Sequence, residues 1–218
     1  MILLPEFSAQ NRIKLMILGC SIFSLVYLGA ANFPLSVIEQ APIINLDTSI
    51  KWLPWTVIIY LSQYLYLPFA LLYAPNKHIA TRTYYGYLVA TLLASAIFLL
   101  YPTELPQRDL STAALPIIIS LCYQFLYYTD VPANCFPSLH TMLALIAATS
   151  LMKRGLTWQI VASLWTIAII VSTLTTKQHC ILDVLAGMLL FSLGVWVFPK
   201  WFDRRINGRI AITHNANT

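Results

Sequence analysis

The stretch Leu156–Thr175 reads LTWQIVASLWTIAIIVSTLT and carries no charged residue. A helix rises about 1.5 Å per residue, so a run of this length reaches roughly 30 Å, the thickness of a bilayer's hydrocarbon core. In lipid the backbone groups have no water to bond, so such a run has to be helical. Working outward, Lys153-Arg154 separates it from the shorter apolar run Ser138–Met152. Further back lie Tyr84–Tyr101, Trp52–Tyr73 and Ile13–Phe33, and on the C-terminal side lies Ile181–Pro199. Pro54 and Pro68 are expected to bend the Trp52–Tyr73 run or to sit near its ends. Leu115–Tyr128 is also apolar but short, and it holds Pro116. It reads as an interfacial or re-entrant piece. The first run follows Arg12 and Lys14 as a signal peptide would. It is too long for a cleaved segment and reads as a retained span.

Composition agrees with this. Of 218 residues, 59% are hydrophobic and 10% charged, and the mean hydropathy is +0.72. Soluble domains carry about 25% charged residues. The expectation is an all-α integral membrane bundle of six transmembrane helices with one extra short interfacial or re-entrant segment. It forms a single membrane domain over residues 1–218. The pI near 9.1 would point a soluble chain towards nucleic acid; here the basic residues mark loops, and no nucleic-acid partner is expected. With six spans, the side that holds both termini collects Arg12, Lys14, Lys77, Arg82, Lys153, Arg154, Lys200, Arg204, Arg205 and Arg209, ten of the thirteen basic residues. The positive-inside bias makes that side cytoplasmic. A full crossing by Leu115–Tyr128 would destroy the bias. Cys20, Cys122, Cys135 and Cys180 show no CxxC spacing. A disulfide between Cys135 and Cys180 is weighed against buried free thiols, the commoner outcome.

The same arrangement gathers the ionisable groups on the other side. Phe136-Pro137-Ser138-Leu139-His140 opens one apolar run, and His179-Cys180-Ile181-Leu182-Asp183 opens another. Intramembrane ionisable residues are rare unless they pair or work. Pro137 suits a first helical turn, and Ser138 can cap it. The free N–H groups of that turn favour an oxyanion. His140 can give or take a proton near neutral pH. His179 and Asp183, four apart, are expected on one face of a helix. The carboxylate can hold one imidazole nitrogen and leave the other as a nucleophile. Arg108 offers a fork for phosphate oxygens and Lys177 a point charge. Asp130 and Glu104 read as solvated loop residues. A zinc site of His140, His179, Asp183 and Cys135 is possible by ligand type, with weak spacing.

FPSLH at 136–140 followed by His179-xxx-Asp183 resembles the second and third motifs of the type 2 phosphatidic acid phosphatase superfamily. Leu139, where its phosphatases commonly have Gly, is similar to the inositol phosphorylceramide synthase-like branch. So are the Asn134 context and Tyr101-Pro-Thr-Glu before Arg108. The resemblance covers roughly residues 50–200, the expected catalytic core. It implies that His179 is the nucleophile of a phosphohistidine, that Asp183 orients it, and that His140 protonates the leaving group and later activates the acceptor. It implies that Ser138 binds phosphate, with Arg108 and Lys177 as candidate phosphate ligands, and that neither metal nor other cofactor is needed. Two features depart from the pattern. Ser172-Thr173 stands where the phosphatases have Ser-Arg, and the Lys-x6-Arg-Pro motif is absent in that form. The expected activity is phosphoester or diphosphate-ester chemistry on a lipid phosphate among membrane lipids. The expected place is the bacterial cytoplasmic (inner) membrane, with the active site facing outward. The alternatives are an undecaprenyl-diphosphate or phosphatidate phosphatase and a non-catalytic lipid-phosphate-binding or transport protein.

Overall fold

The computed structural model describes residues 5–110, 114–130 and 133–194. The tail cations from Lys200 onward, and the end of the sixth expected span, lie outside the described residues. In chain order the helices are α1 (Arg12–Asn32), α2 (Asn45–Ser49), α3 (Val57–Leu61), α4 (Gln63–Leu72), α5 (Lys77–Leu100), α6 (Ile117–Thr129), α7 (Leu139–Leu151) and α8 (Leu156–Thr175). They are followed by α9 (Ile181–Gly194). Among the described residues, four segments are long and apolar enough to cross a membrane: α1, Pro54–Leu72, α5 and α8. α6, α7 and α9 are shorter apolar helices.

The boundaries differ from the sequence reading in physically sensible ways. α5 starts at Lys77, not at Tyr84, because Asn76 caps it, its side chain accepting the Ile79 N–H at 3.0 Å. Arg82 is therefore helical rather than in a loop. Pro54 opens its segment in a 3-10 turn. The interruption falls at Ser62, not at Pro68, which lies inside α4. The Ser62 hydroxyl donates to the Ile59 carbonyl at 2.6 Å and accepts from Trp165 Nε1 at 2.9 Å.

α7 is the inner helix. Its Ala144, Ala147 and Ala148 pack with Ala70 of α4 and Ala162 of α8, while Leu139, Met142 and Leu143 face Ala90, Ala94 and Phe98 of α5. Small residues let helices approach where no hydrophobic force separates protein from lipid. Interhelical hydroxyls add to this: Ser150 Oγ donates to the Ala70 carbonyl at 3.1 Å, and Thr166 Oγ1 to the Ala144 carbonyl at 3.3 Å. The outer faces of α1, α5 and α8 present exposed Ile and Leu, such as Leu25, Leu92 and Leu164.

The loops at one end of the bundle are also tied. Two-residue strands β1 (Glu39–Gln40) and β2 (Thr103–Glu104) pair in parallel. Thr103, fully buried, accepts the Cys135 N–H at its carbonyl (3.0 Å) and the Phe136 N–H at its hydroxyl (2.9 Å). The approach to α7 is thereby fixed before the helix begins.

Candidate active site

Each of the two motifs is placed by its own local device. Ser138 is the N-cap of α7, its Oγ accepting the Thr141 N–H at 3.3 Å. Pro137 thus precedes the cap instead of standing in the first turn. His140 is the second residue of the helix. At the other motif, α8 ends in a Schellman turn. The Lys177 N–H donates to the Leu174 carbonyl at 3.2 Å and the Gln178 N–H to the Thr173 carbonyl at 3.1 Å. Lys177 holds the left-handed position, φ +62°. The His179 N–H also reaches the Thr173 carbonyl, at 3.1 Å. His179 therefore precedes α9 instead of lying on it, and its pairing with Asp183 spans a turn and the first residues of a helix.

Two carboxylates close the start of α9. Asp183 Oδ2 accepts the Cys180 N–H at 2.8 Å, and Asp47 Oδ1 accepts the Ile181 N–H at 2.8 Å. Negative charge is favourable at a helix N-terminus. The two motifs then join directly. The Ser138 N–H donates to the Asp183 carbonyl at 3.0 Å. A Cβ on Gly187 would come within 2.6 Å of the Ser138 carbonyl oxygen, so only glycine permits this approach.

The side chains converge as follows. His179 Nδ1 lies 3.5 Å from Asp183 Oδ2. His179 Nε2 lies 3.4 Å from His140 Nδ1, with ring centroids 5.5 Å apart. Asp183 is fully buried and His179 nearly so. Ser138 is at the same junction but fully buried, its N–H and Oγ both engaged. Lys177 and His179 line a small cavity of ≈ 30 Å³ with Asp130, Asn134 and Cys135. Lys177 Nζ donates to the Asp47 carbonyl at 2.8 Å. Burial, and then the Arg108 charge nearby, lower the Lys177 ammonium from its ordinary value, against the pull of Asp47. Arg108 does not line that cavity; its guanidinium lies over the Trp52 ring, 5.0 Å from the centroid.

Sequence reasoning missed Asp130 and Tyr60, and the contact made by Cys135, which it weighed only as a disulfide partner or zinc ligand. Asp130 is not a solvated loop residue: it is half-buried and takes hydrogen bonds from Tyr27 Oη, from Tyr60 Oη at 2.7 Å and from Asn134 Nδ2 at 3.2 Å. Tyr60, fully buried, also stands 3.3 Å from His140 Nδ1. Cys135 donates its S–H to Asp183 Oδ2 at 3.0 Å. No periodicity or spacing marked these contacts, because the partners lie 43 or more positions away or in a loop. Only the Asn134-Cys135 context adjoined a recognised motif.

Cys135 and Cys180 are buried free thiols. Burial, then the Asp183 charge, pushes both thiols up, Cys180 to about 12. Cys135, His179 and Asp183 bring three metal-ligand types within 4.8 Å. His140 is not in that group, because its Nδ1 faces the opposite nitrogen of His179.

The arrangement can lodge a proton on His179 Nδ1 against Asp183 and leave Nε2 with its lone pair directed at the other imidazole. No curated protein matches the chain. The family model described as the PAP2 superfamily matches residues 48–197, well over half of the 218 residues. The chain belongs to the PAP2 superfamily, and this makes it a membrane protein of the phosphatase-type phosphoesterases, with a phosphorylated, lipid-like substrate.

Proposed function

We propose that this protein is a phosphoesterase or phosphotransferase acting on a lipid phosphate or lipid diphosphate by double displacement through His179. The bundle is proposed to cross six times, with Lys153-Arg154 on the cytoplasmic side and the two histidines on the other. Its proposed place is the bacterial cytoplasmic membrane. The observation that supports the chemistry best is the order Asp183 Oδ2, His179 Nδ1, His179 Nε2, His140 Nδ1, with gaps of 3.5 Å and 3.4 Å.

In the first half-reaction, the His179 Nε2 lone pair forms a bond to phosphorus as the bond to the leaving oxygen breaks. That oxygen takes a proton from His140. Asp183 stabilises the positive charge that grows on His179. In the second half, the oxygen of water or of an alcohol attacks phosphorus and gives its proton to His140. The P–N bond breaks and His179 is restored. The 3.4 Å contact between the imidazoles leaves no room for phosphorus, so substrate binding has to part them. Lys177 and Arg108 are the proposed phosphate ligands. Ser138 Oγ accepts from Thr141, which leaves its hydroxyl hydrogen to donate to phosphate once substrate reaches that buried atom. Thr173 cannot replace the missing arginine, since it is uncharged and buried and its hydroxyl donates to the Ile170 carbonyl. Leu139 in the second motif favours transfer to an alcohol over hydrolysis, by its likeness to the inositol phosphorylceramide synthase-like branch.

The test is turnover by purified protein in detergent on a panel of phosphorylated lipids, with and without inositol and other alcohols. Product with an esterified alcohol is expected beside free phosphate. A rapid acid quench should trap labelled phosphate on the protein, acid-labile and absent from His179→Ala. A protein that binds these lipids but turns none over would be a non-catalytic relative instead.

A further inference from the structure

Asp130 is a carboxylate at the mouth of a membrane bundle that no recognised motif contains. It takes three donors, from α1 (Tyr27), α3 (Tyr60) and its own loop (Asn134). An isolated carboxylate would not be kept half-buried without such donors. A purely structural staple would be satisfied with them. Tyr60 adds something else. Its hydroxyl carries one hydrogen and is shared between Asp130 Oδ2 at 2.7 Å and His140 Nδ1 at 3.3 Å, and its ring packs on the imidazole with centroids 4.5 Å apart.

We infer that Asp130 is a positioning residue for His140, acting through the Tyr60 hydroxyl; this rests on the acid–base part proposed for His140. An ionised carboxylate can only accept, so the Tyr60 hydrogen points at Asp130. Nδ1 of His140 then faces two acceptors, the lone pairs of the Tyr60 oxygen at 3.3 Å and the His179 Nε2 lone pair at 3.4 Å, so His140 has to present Nδ1–H. Burial works to raise the Asp130 carboxyl, but the nearby His140 and the phenol donors outweigh it and hold it below the ordinary range. It is therefore ionised at neutral pH. Asp130 and Tyr60 fix the tautomer and ring orientation of His140. Their combined dipole and charge favour its imidazolium, the form that hands a proton to the leaving oxygen. Each histidine thus has its own carboxylate: Asp183 in direct contact with His179, Asp130 at one remove from His140.

The test is a double-mutant cycle in the full-length protein, with turnover read on a lipid-alcohol phosphoester and on an ester of an acidic phenol. Tyr60→Phe keeps the ring packing and removes the relay; Asp130→Asn keeps the shape and removes the charge. Both are expected to lower kcat on the lipid ester by about 10- to 100-fold, a fraction of a full general-acid contribution. KM should stay within about threefold, and the phenyl ester should be spared. In the His140→Ala background the same two changes should cost nothing further, since the group they position is gone. Equal losses in both backgrounds, or equal losses on both esters, would make Asp130 a staple and overturn the inference. Near-normal kcat for Tyr60→Phe, with His140→Ala crippled, would overturn it while leaving the proposed function intact. If His140→Ala itself is near normal, both fall. Should Asp130→Asn not assemble in the membrane, Tyr60→Phe decides alone, because Tyr27 and Asn134 still hold Asp130.

Discussion

The two histidines meet nitrogen to nitrogen, yet the chain delivers them by opposite means. His140 rides on a regular helix, within the first turn after a Pro-Ser start. His179 belongs to no helix. It hangs between α8 and α9 on a turn whose three N–H groups bond the Leu174 and Thr173 carbonyls, and its side chain is held from behind by a carboxylate of the next helix. A group that must change bonding partner, from lone pair to P–N bond and back, needs a fixed direction of attack. A group that shuttles a proton needs a fixed tautomer. In the proposed mechanism the turn with Asp183 is to supply the first, and the helix with Tyr60 the second.

The largest effect that would sharpen this contrast is on chemistry. His179→Ala is expected to abolish turnover on every ester while the protein remains folded and inserted, since alanine removes the proposed nucleophile and barely alters the apolar surface. His140→Ala should lose about 10²–10⁴-fold on a lipid alcohol, the usual range for a lost acid–base group. It should recover much of that on an ester of an acidic phenol, whose oxygen leaves without protonation. Equal recovery by His179→Ala on the phenyl ester would break the distinction between nucleophile and acid. Steady-state rates on the two esters, with detergent-solubilised yield as the folding control, make the comparison.

The joint between the two devices gives the next effect. Gly187 lies in α9, and an added Cβ would fall 2.6 Å from the Ser138 carbonyl oxygen and 3.2 Å from Thr141 Cβ. Neither is the free end of a flexible side chain. Gly187→Ala has to push α9 from the start of α7, breaking the Ser138 N–H bond to the Asp183 carbonyl. Overpacking of this kind costs about 1–3 kcal/mol. Thermal unfolding in detergent should show the loss, and turnover should fall with it because Asp183 moves with the helix. Gly29→Ala, with open space around the added carbon, should leave both unchanged; an equal loss there would mean that the variants report general helix tolerance, not the joint.

What the sequence shows of these two regions follows from their physics. Hydropathy and Pro-Ser spacing are local, so α7, Ser138 and His140 stand where they were read, and the apolar runs are helices. The convergence of His140 with His179 and Asp183 was legible because each motif opens an apolar run, and charge bias put both openings on one side. The turn carrying His179 was not legible, because a helix end of this type is usually announced by glycine and here the left-handed residue is Lys177. Asp130 and Tyr60 were invisible for a different reason. A carboxylate after a short helix and a tyrosine inside an apolar run look the same whether they face lipid, water or a histidine. Only the packing of α1, α3 and α7 decides.

Lys177 carries the smallest expected effect and the most discriminating one, because it does two things at once. Its backbone holds φ +62°, where a side chain costs roughly 1–2 kcal/mol and glycine costs nothing. Its ammonium donates to the Asp47 carbonyl and lines the cavity beside His179. Two variants separate these parts. Lys177→Ala removes the charge and keeps the strained backbone; Lys177→Gly removes the charge and relaxes it. If Lys177 serves phosphate, both should raise KM by the same few-fold factor with kcat nearly unchanged, since the lost interaction is made in ground and transition state alike. Their thermal stabilities should differ, with the glycine variant the more stable by about 1 kcal/mol. If kcat instead follows stability, falling in Lys177→Ala and surviving in Lys177→Gly, then the residue matters through the turn that aims His179, and the charge is incidental to binding.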